Sequence, residues 1–532
     1  MTAIEADGSL VVIDAGLAFP RDEHLGVDLI LPDFSYLQEN EDLIEAIILT
    51  HGHEDHVGAL PYVLREVKVP RILATRFTLA LVKSKLDEHG LAQAAELIEV
   101  VPGSDTVEVG PFDAQFVRVA HSIPDAVAVV LDGPDGRIVH TGDYKMDQTP
   151  VHGFPTDVSG LAELGAEGVD LLLGDSTNAE RPGFTTSERA VGEAFRDIIP
   201  RQEGRVLIAS FASNVHRMHQ AIDVAVETGR RVCVVGRSLK KNLNIARNLG
   251  YVEMPADVVA RPADLAEIDP AHTMILCTGS QGEPLSALTR IAYGDHPHVS
   301  VDPGDTVIIS AKPVPGNELR VHDTINQLTL AGATVIHEET SPIHTSGHGN
   351  AEELRMMLGL LKPRAVMPVH GEFRMLAAHG RLAREAGVDP DRIMLAENGS
   401  VVELTEHGPA FAGRVEAGIT FVDGLGVGDV RDVALRDRRH LSEDGVLIVV
   451  ATLVQGENRS LAPPEVIDRG LSELEGLIEE IRHKADQVLQ ACLTDGVTEH
   501  KLVQEHIHDE LGRFLNDRTG RRPMILPIVI EV

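Results

Sequence analysis

The chain has 532 residues, 43% of them apolar and 24% charged, with a net charge of −35 at pH 7. The apolar share suffices for several buried cores, which excludes a disordered chain. No apolar run approaches the roughly 18 residues of a membrane helix, and the N-terminus lacks a secretory signal profile. Three widely spaced cysteines indicate reduced thiols, so we expect a soluble cytoplasmic protein that binds no membrane.

The strong negative charge limits the kinds of partner. Its long-range field repels polyanions, so a nucleic acid would have to be held by a local groove, by metal ions or by helix N-termini. Acidity also suits the binding of cations. A solvated acidic surface without any ligand is the alternative explanation for the charge.

The first 175 residues alternate short apolar strands with turns. Strands are predicted at 10–13, 46–49, 114–119, 126–131 and 171–173, with a short helix at 61–67. From about residue 187 to 344 the pattern changes to strand, loop and helix. Strands are predicted there at 205–210, 231–235, 273–277, 306–310 and 333–336, and helices at 215–227 and 284–292. This order predicts a parallel sheet with crossover helices.

A helix at 351–361 and a buried strand at 365–369 follow. After about residue 424 comes a connector rich in glycine and charge, at 426–439. The remainder of the chain is predicted to hold a strand at 446–450, helices at 471–491 and 499–515, and a final strand at 524–532.

A cluster of potential metal ligands follows the strand that ends at Thr50. It reads His51-Gly-His53-Glu-Asp55-His56. Imidazole nitrogens and carboxylate oxygens are the ligands that Zn²⁺ prefers in hydrolytic sites. Alternate spacing lets His51 and His53 point the same way, while the last two ligands turn toward a neighbouring position, so one motif can serve two ions. A surface cluster of histidine and aspartate is the alternative, and Glu54 receives no role.

Further candidates share a position just beyond the end of an apolar strand. They are His121, Asp143, Asp175 and His370. In layered α/β folds, ligands gather at the carboxyl ends of strands, so these residues can converge although they are far apart in sequence. A single histidine after a strand is more often structural. The four together with the motif at 51–56 favour a metal site.

These motifs resemble those of a known fold family. The motif at 51–56 with His121, Asp143 and Asp175 looks like the successive motifs of the metallo-β-lactamase fold. Asp175, His348 and His370 look like the three motifs of its β-CASP branch, whose members process nucleic acids. The match is closer still to the bacterial ribonuclease J family, and supporting stretches lie at 14–20, 211–217, 279–284 and 521–527.

The resemblance implies an α/β architecture of several domains. A metallo-β-lactamase αββα sandwich would be formed by residues 1–186 and 348–425, on either side of a β-CASP domain at 187–347. A linker at 426–441 would lead to a small C-terminal α/β domain at 442–532. The family usually begins with an extra segment that carries a strand pair. In this sequence the chain opens at what looks like the following strand, which puts the N-terminal sheet edge in doubt.

The resemblance also implies two Zn²⁺ ions per subunit. One ion would be bound by His51, His53 and His121. The other would be bound by Asp55, His56 and His370. Asp143 would bridge the two ions. Asp423 is a candidate for a structural Ca²⁺, with a turn-forming aspartate as the alternative.

Two residues are implied in catalysis. Asp175 would orient a ligand or shuttle a proton, and His348 would contact the phosphate and help to protonate the leaving 3′ oxygen. A helix-capping histidine before Ala351 is the alternative for His348.

Two segments are implied in binding single-stranded RNA through its backbone and 5′ end. Ser213, Asn214 and Val215 lie at a predicted helix start, where backbone N–H groups favour a phosphate, and simple N-capping is the alternative. The second segment is His344-Thr345-Ser346-Gly347-His348. A hydroxyl-rich loop at 279–282 would contribute to binding or form only a tight turn. Aromatic residues are 3% of the chain with no tryptophan, so extensive base stacking is not expected.

The predicted function is therefore a zinc-dependent ribonuclease with 5′→3′ exonuclease and endonuclease activity in mRNA turnover and rRNA processing. It would prefer 5′-monophosphate ends and assemble as a homodimer or homotetramer. A DNA-processing nuclease of the same branch is one alternative, although the resemblance implies a valine in that group at the position where this chain has His370. A catalytically weak RNA-binding paralogue is the other alternative, although none of the seven ligand positions is replaced in this chain.

Overall fold

The computed structural model describes residues 1–21, 23–104, 106–151, 153–314, 316–405, 407–424, 426–428, 432–471 and 476–532. The chain divides into two units. Unit 1 comprises Met1–Ala18 and Leu31–Ile419, and unit 2 comprises Phe19–Ile30 and Thr420–Val532.

Helices and strands alternate along most of the chain. Up to residue 100 they are β1 (Thr2–Ala6), β2 (Ser9–Ile13), β3 (Leu29–Pro32), α1 (Ser35–Glu39), β4 (Ile44–Ile48), α2 (Glu54–Val57), α3 (Leu60–Glu66), β5 (Arg71–Ala74), α4 (Arg76–Glu88) and β6 (Glu96–Glu99). Up to residue 200 they are β7 (Thr106–Val109), β8 (Phe112–Arg118), β9 (Val127–Gly133), β10 (Gly136–His140), α5 (Val158–Glu167), β11 (Leu171–Asp175) and α6 (Arg189–Ile198).

Up to residue 340 they are β12 (Val206–Ala209), α7 (Val215–Glu227), β13 (Arg231–Val235), α8 (Arg237–Asn248), β14 (Val259–Ala260), β15 (Thr273–Cys277), α9 (Ala287–Ala292), β16 (Thr306–Ile309), α10 (Glu318–Leu330) and β17 (Thr334–Ile336). The rest are α11 (Ala351–Leu361), β18 (Ala365–Val369), α12 (Phe373–Glu385), β19 (Ser400–Thr405), β20 (Gly408–Arg414), β21 (Ile419–Asp423), β22 (Gly426–Val427), α13 (Asp432–Asp444), β23 (Val446–Leu453), β24 (Glu465–Arg469), α14 (Ile478–Thr494), α15 (His500–Thr519) and β25 (Met524–Glu531).

Two sheets of unit 1 pack face to face as a metallo-β-lactamase sandwich. One sheet has the order β1-β2-β4-β5-β6 and the other has the order β18-β11-β10-β9-β8-β7. Apolar side chains of both sheets, such as Val11, Ile48, Phe116 and Val129, share one buried cluster. The far face of the second sheet packs on α5, α11 and α12 through a second cluster. Helices therefore cover a pair of sheets, as the αββα expectation requires.

A third sheet of unit 1 is parallel throughout its named strands. Its order is β14-β13-β15-β12-β16-β17. Its central strands β12, β15 and β16 are fully buried and mainly apolar, because separate apolar clusters lie on the two faces of the sheet. Helices α6, α7 and α8 contribute to one cluster, and α9 and α10 contribute to the other. This is the inserted β-CASP fold, built from the crossover rhythm that the sequence predicts.

Unit 2 contains a small sheet in the C-terminal part of the chain. Strand β23 pairs antiparallel with β24 and parallel with β25. Buried residues alternate along β23, and its inward side chains pack on the apolar stripes of α14 and α15. A sheet with helices on one face therefore forms the C-terminal α/β domain.

The strands of the sandwich place several carboxyl ends at one edge. Strand β2 is parallel to β4, and β11 is parallel to both β10 and β18. The segments that leave β4, β10 and β18 carry His51, Asp143 and His370, and β11 ends on Asp175. The topology thus brings chemistry-bearing residues to one place from positions more than 300 residues apart in sequence.

Several predicted elements have the observed bounds, and others need correction. The helices at 215–227 and 351–361 and the strands at 231–235, 273–277 and 365–369 are confirmed. The doubt about the N-terminal sheet edge was wrong, since β1 pairs with β2 in a hairpin. The helix predicted from 284 begins at Ala287, and the strand predicted to end at 450 continues to Leu453.

The predicted connector needs a correction as well. Its residues 429–431 lie outside the described part of the chain, and α13 occupies most of the rest. The high charge that suggested a loop belongs to an exposed helix. Residues 472–475 of the predicted helix at 471–491 are also outside the described residues, and α14 begins at Ile478. The boundaries between the domains remain predictions.

Candidate metal centre

The structure brings all seven predicted metal-ligand residues into one cluster of unit 1. Within it, one group consists of His51, His53, His121 and Asp143, and another consists of Asp55, His56, Asp143 and His370. In each group the potential ligand atoms lie within 4.8 Å of one another. Asp143 belongs to both groups, as expected for a ligand shared by two ions.

Three ring nitrogens face one another in the first group. His53 Nδ1 lies 3.1 Å from His51 Nε2 and 3.1 Å from His121 Nε2. Burial lowers the pKa of His53 to about 4 and holds the pKa values of His51 and His121 well below their ordinary range. All three rings are therefore neutral near pH 7.

Hydrogen bonds of His121 Nδ1 and His51 Nδ1 determine which ring nitrogen carries the proton. His121 Nδ1 donates to the Gly347 carbonyl at 2.8 Å, because a carbonyl oxygen can only accept. Thr50 Oγ1 donates to Asp14 Oδ2, so His51 Nδ1 donates to Thr50 Oγ1 at 3.0 Å. Both Nε2 atoms then present lone pairs to His53. Hydrogen bonds alone leave at least one buried lone pair unsatisfied, whereas one cation would satisfy all three, so the donor set fits a metal ion.

The second group contains a buried nitrogen without a hydrogen bond. His56 Nε2 is buried, has no hydrogen-bond partner and lies 3.2 Å from Asp143 Oδ2. Against the effect of burial, Asp143 and Asp14 raise the pKa of His56 to about 10. Burial likewise opposes the charge of His370, yet Asp143, Asp175 and Asp55 raise its pKa well above the ordinary range. The neighbouring carboxylates stabilise positive charge on these rings. A bound cation would supply that positive charge instead.

Asp14 is a functional residue that the sequence reasoning did not assign. It is buried, and its Oδ2 accepts a hydrogen bond from His56 Nδ1 at 2.7 Å. Its other oxygen accepts from Thr50 N at 2.8 Å. A carboxylate behind a ligating histidine fixes the ring and raises its basicity. Asp14 follows β2 at the same sheet edge as His51, and that position was the available signal.

Two glycines let the chain pass close to the ligands. A Cβ on Gly16 would lie 1.5 Å from the Asp55 carbonyl oxygen, and a Cβ on Gly347 would lie 2.5 Å from His121 Cε1. Backbone hydrogen bonds from Ala15 N to His56 O and from Leu17 N to Glu54 O tie the first of these segments to the ligand motif. The Glu54 carboxylate itself bonds to Lys85 Nζ, which accounts for it without a catalytic role.

The two predicted catalytic residues contact each other beside the cluster. His348 Nδ1 donates to Asp175 Oδ2 at 2.8 Å, and His348 Nε2 lies 3.9 Å from Asp143 Oδ2. Although burial opposes the charge, Asp175 and Asp143 raise the pKa of His348. Asp175, His348, Asp143 and His370 form a further group of closely spaced ligand atoms. Thr177, also missed in the sequence, donates to Asp175 Oδ1 at 2.8 Å and lies 2.9 Å from His370 Nδ1.

Comparison with known families gives matches along most of the chain. The description "Ribonuclease J, beta-CASP domain" matches residues 203–328, and "Ribonuclease J C-terminal domain" matches residues 433–532. "Metallo-beta-lactamase superfamily" matches residues 1–162, and "Zn-dependent metallo-hydrolase RNA specificity domain" matches residues 335–392.

Full-length relatives decide the family. The chain is 42% identical to ribonuclease J 1 of Streptococcus pyogenes over 530 residues, which cover 99% of this chain and 94% of the relative. It is 41% identical to ribonuclease J2 of Bacillus subtilis over 532 residues, which cover 99% of this chain and 95% of the relative. The chain belongs to the ribonuclease J family.

A solved structure shows the same fold at much lower similarity. A protein of unknown function from Enterococcus faecalis has a TM-score of 0.51 at 16% identity, covering 74% of this chain and 94% of that chain. Membership of the ribonuclease J family makes the protein a metal-dependent nuclease, a hydrolase that acts on RNA. In the described part of the chain, no helix has the length and apolarity needed to cross a membrane.

The predicted RNA-binding loop lies directly over the cluster. Besides the His121 contact of Gly347, Ser346 Oγ accepts a hydrogen bond from Asn178 Nδ2, and Thr345 Oγ1 donates to the Thr186 carbonyl. His344 Nδ1 accepts from Arg217 at 3.0 Å, and burial together with Arg217 lowers the pKa of His344 to about 3. The loop is thus fixed on the site, and His344 and Thr345 face inward.

The predicted 5′-phosphate segment shows the capping contact that was its alternative. Asn214 is buried and accepts a hydrogen bond from Arg217 N as the N-cap of α7. Val215 is also buried, while Ser213 is half-buried. In the loop at 279–282, buried Gln281 bonds to the Lys312 carbonyl and accepts from Val314 N, so its side chain serves packing.

In unit 2, Asp423 forms an ion pair with Arg438. The calcium remains a prediction.

We expect Asp14→Asn to weaken zinc binding by about 10- to 100-fold, because His56 loses the carboxylate that orients it. Asp14 has a positive φ of 59°, which asparagine tolerates, so the backbone should persist. The matched control is Asp7→Asn, at an exposed turn with a φ of 48°. Competition against a chelator of known affinity measures the change. An unaltered zinc affinity in Asp14→Asn would contradict this role.

Proposed function

We propose that the protein is a two-zinc ribonuclease that degrades RNA from the 5′ end and also cleaves it internally. The observation that supports this proposal most directly is that Asp143 belongs to both groups of potential ligand atoms. His51, His53 and His121 would hold one ion, and Asp55, His56 and His370 would hold the other. Asp143 would be shared between them.

The chemistry follows from what each group offers. Bound zinc supplies activation of a water molecule at neutral pH and stabilises charge that develops at phosphorus. His348 protonates the leaving 3′ oxygen, and Asp175 holds the imidazole in position through its Nδ1 atom. The contact of 2.8 Å between these two residues supports their pairing in this role.

The substrate is single-stranded RNA held through its backbone, in mRNA turnover and rRNA processing. The loop at 344–348 would contact phosphates beside the cluster. Ser213, Asn214 and Val215 would bind the 5′-terminal phosphate at the start of α7, where the helix dipole favours an anion. The capping bond occupies the Asn214 side chain, and the N–H groups of Asn214 and Val215 bond to the Phe211 and Ser213 carbonyls, so this role falls mainly to the Ser213 hydroxyl and the helix dipole.

Two other functions are less well supported. A DNA-processing nuclease of the β-CASP branch would be expected to carry a valine at the position of His370. Matched RNA and DNA oligonucleotides would separate these specificities. A catalytically weak RNA-binding paralogue should have lost ligands, but all seven positions carry ligand-type side chains within reach of one another.

The same proposal covers assembly and location. Strand β25 carries exposed apolar side chains at Leu526, Ile528 and Ile530, which supports a homodimer or homotetramer. Three buried free cysteines support the cytoplasm as the compartment.

Removal of zinc, or Asp143→Ala, should abolish RNA cleavage while the fold is retained, since one ligand is lost from both ions. Asp135→Ala, at an exposed turn between β9 and β10, is the control. Cleavage of 5′- and 3′-labelled RNA measures the loss, with circular dichroism as the check on folding. Normal rates after chelation and in Asp143→Ala would rule out the two-metal mechanism.

His348→Ala should reduce the maximal single-turnover rate by about 10²- to 10⁴-fold, because a proton donor is lost. RNA affinity should change much less. His298→Ala, an exposed histidine of the same unit, should match the unsubstituted protein. A collapse of affinity with a normal rate on bound RNA would make His348 a binding residue only.

Exonucleolytic decay should be faster on 5′-monophosphorylated RNA than on 5′-triphosphorylated or 5′-hydroxyl RNA. The positive end of the α7 dipole favours one terminal phosphate, and a triphosphate adds charge that a chain of −35 has little means to compensate. A bulky substitution at Ser213 should remove the preference before it removes internal cleavage. Equal exonuclease rates on all three ends would reduce this segment to a helix cap.

A further inference from the structure

An exposed aromatic ring lies on the loop that binds the backbone of His348. Phe184 is 65% exposed, in a chain with 3% aromatic residues and no tryptophan. The next residue, Thr185, donates its hydroxyl to the His348 carbonyl at 2.9 Å. Phe184 is therefore one residue away from a direct contact with the proposed proton donor.

The backbone around Phe184 is fixed on both sides. Thr185 N donates to Glu353 Oε2 at 2.6 Å, and Glu353 is only 1% exposed. Before it in sequence, the carbonyls of Arg181 and Gly183 accept hydrogen bonds from the first turn of α11, at 2.9 and 3.3 Å. Hydrogen bonds thus hold the backbone on both sides of Phe184 while its ring is exposed.

The same loop carries a cation, Arg181. Arg181 is exposed and forms no ion pair with any acidic side chain among the described residues, whereas nearby Arg374 and Arg355 each pair with glutamates. Arg181 and exposed Lys312 both contribute positive charge at His344, so both lie near the loop at 344–348. Both cations also act on half-buried Glu338, which offsets part of their charge. In a chain of −35, the remaining positive charge is a local attraction for a polyanion at the rim of the site.

We propose that the segment from Arg181 to Phe184 is a nucleotide subsite, in which Phe184 stacks on one base and Arg181 contacts an adjacent phosphate. The inference rests on the proposed function, since its ligand is the single-stranded RNA substrate. Stacking on an aromatic ring tolerates every base because each base has a π-face. Such a contact would hold the nucleotide next to the scissile phosphate without sequence readout.

The test measures RNA affinity and cleavage separately on the zinc-loaded protein. Fluorescence anisotropy gives the Kd of a labelled single-stranded RNA before cleavage progresses, and the single-turnover rate is measured on the same RNA. Phe184→Ala should raise the Kd by about five- to a hundredfold, with the maximal rate changed less than about threefold. Phe184→Tyr should restore affinity. Phe154→Ala is the matched control, because Phe154 is 67% exposed but already packs against the Arg118 guanidinium at 4.2 Å.

A set of RNAs that each lack one base locates the contact. One position should raise the Kd for the unsubstituted protein and cause no further loss in Phe184→Ala, because both changes remove the same interaction. Arg181→Gln should reduce the slope of log Kd against log salt by about 0.7. An unchanged Kd in Phe184→Ala, with no base position sensitive, would overturn the subsite even if cleavage is normal. A base-dependent Kd without zinc-dependent cleavage would instead overturn the proposed function alone, and absence of RNA binding would overturn both.

Discussion

The site depends on buried nitrogen lone pairs and carboxylates that face one another and that only a cation can satisfy together. His51 and His121 use their outer nitrogens for hydrogen bonds and present Nε2 to His53, while Asp143 belongs to both groups of potential ligand atoms. Leaving such groups unpaired costs about 1–3 kcal/mol each. The donor set is therefore pre-formed for a cation, at the expense of the stability of the metal-free state.

The fold brings these groups close together. Strands of both sheets bring His51, Asp143, Asp175 and His370 to one edge of the sandwich, and a loop that follows the β-CASP segment places Gly347 and His348 over it. Glu353 connects the segments around the site through backbone hydrogen bonds. Its buried carboxylate accepts backbone N–H groups from Met146, Thr185 and Asn350, so one side chain positions the three segments that carry Asp143, the Phe184 loop and His348. Short hydrogen bonds consequently link the residues proposed for metal ligation, proton donation and RNA contact.

Much of this could be predicted from the sequence because the strong signals are local. The motif from His51 to His56 and the polar residues just beyond apolar strands predict the ligand candidates that the structure brings together. The repeated strand, loop and helix rhythm predicts the parallel sheet. Asp14 and Thr177 were missed because a supporting residue differs from an ordinary turn residue only through its three-dimensional neighbours. Glu353 was missed for the same reason, since its partners are backbone groups distant in sequence. The connector was misjudged because high charge is equally compatible with an exposed helix such as α13.

Two metal ions that share Asp143 are the centre of the proposed chemistry, and a crystal structure of the zinc-loaded protein with anomalous scattering at the zinc edge tests them most directly. We predict two anomalous peaks about 3.5–4 Å apart, with Asp143 bound to both and three further residues of the cluster on each. A single peak, or two peaks of which only one contacts Asp143, would contradict the shared site.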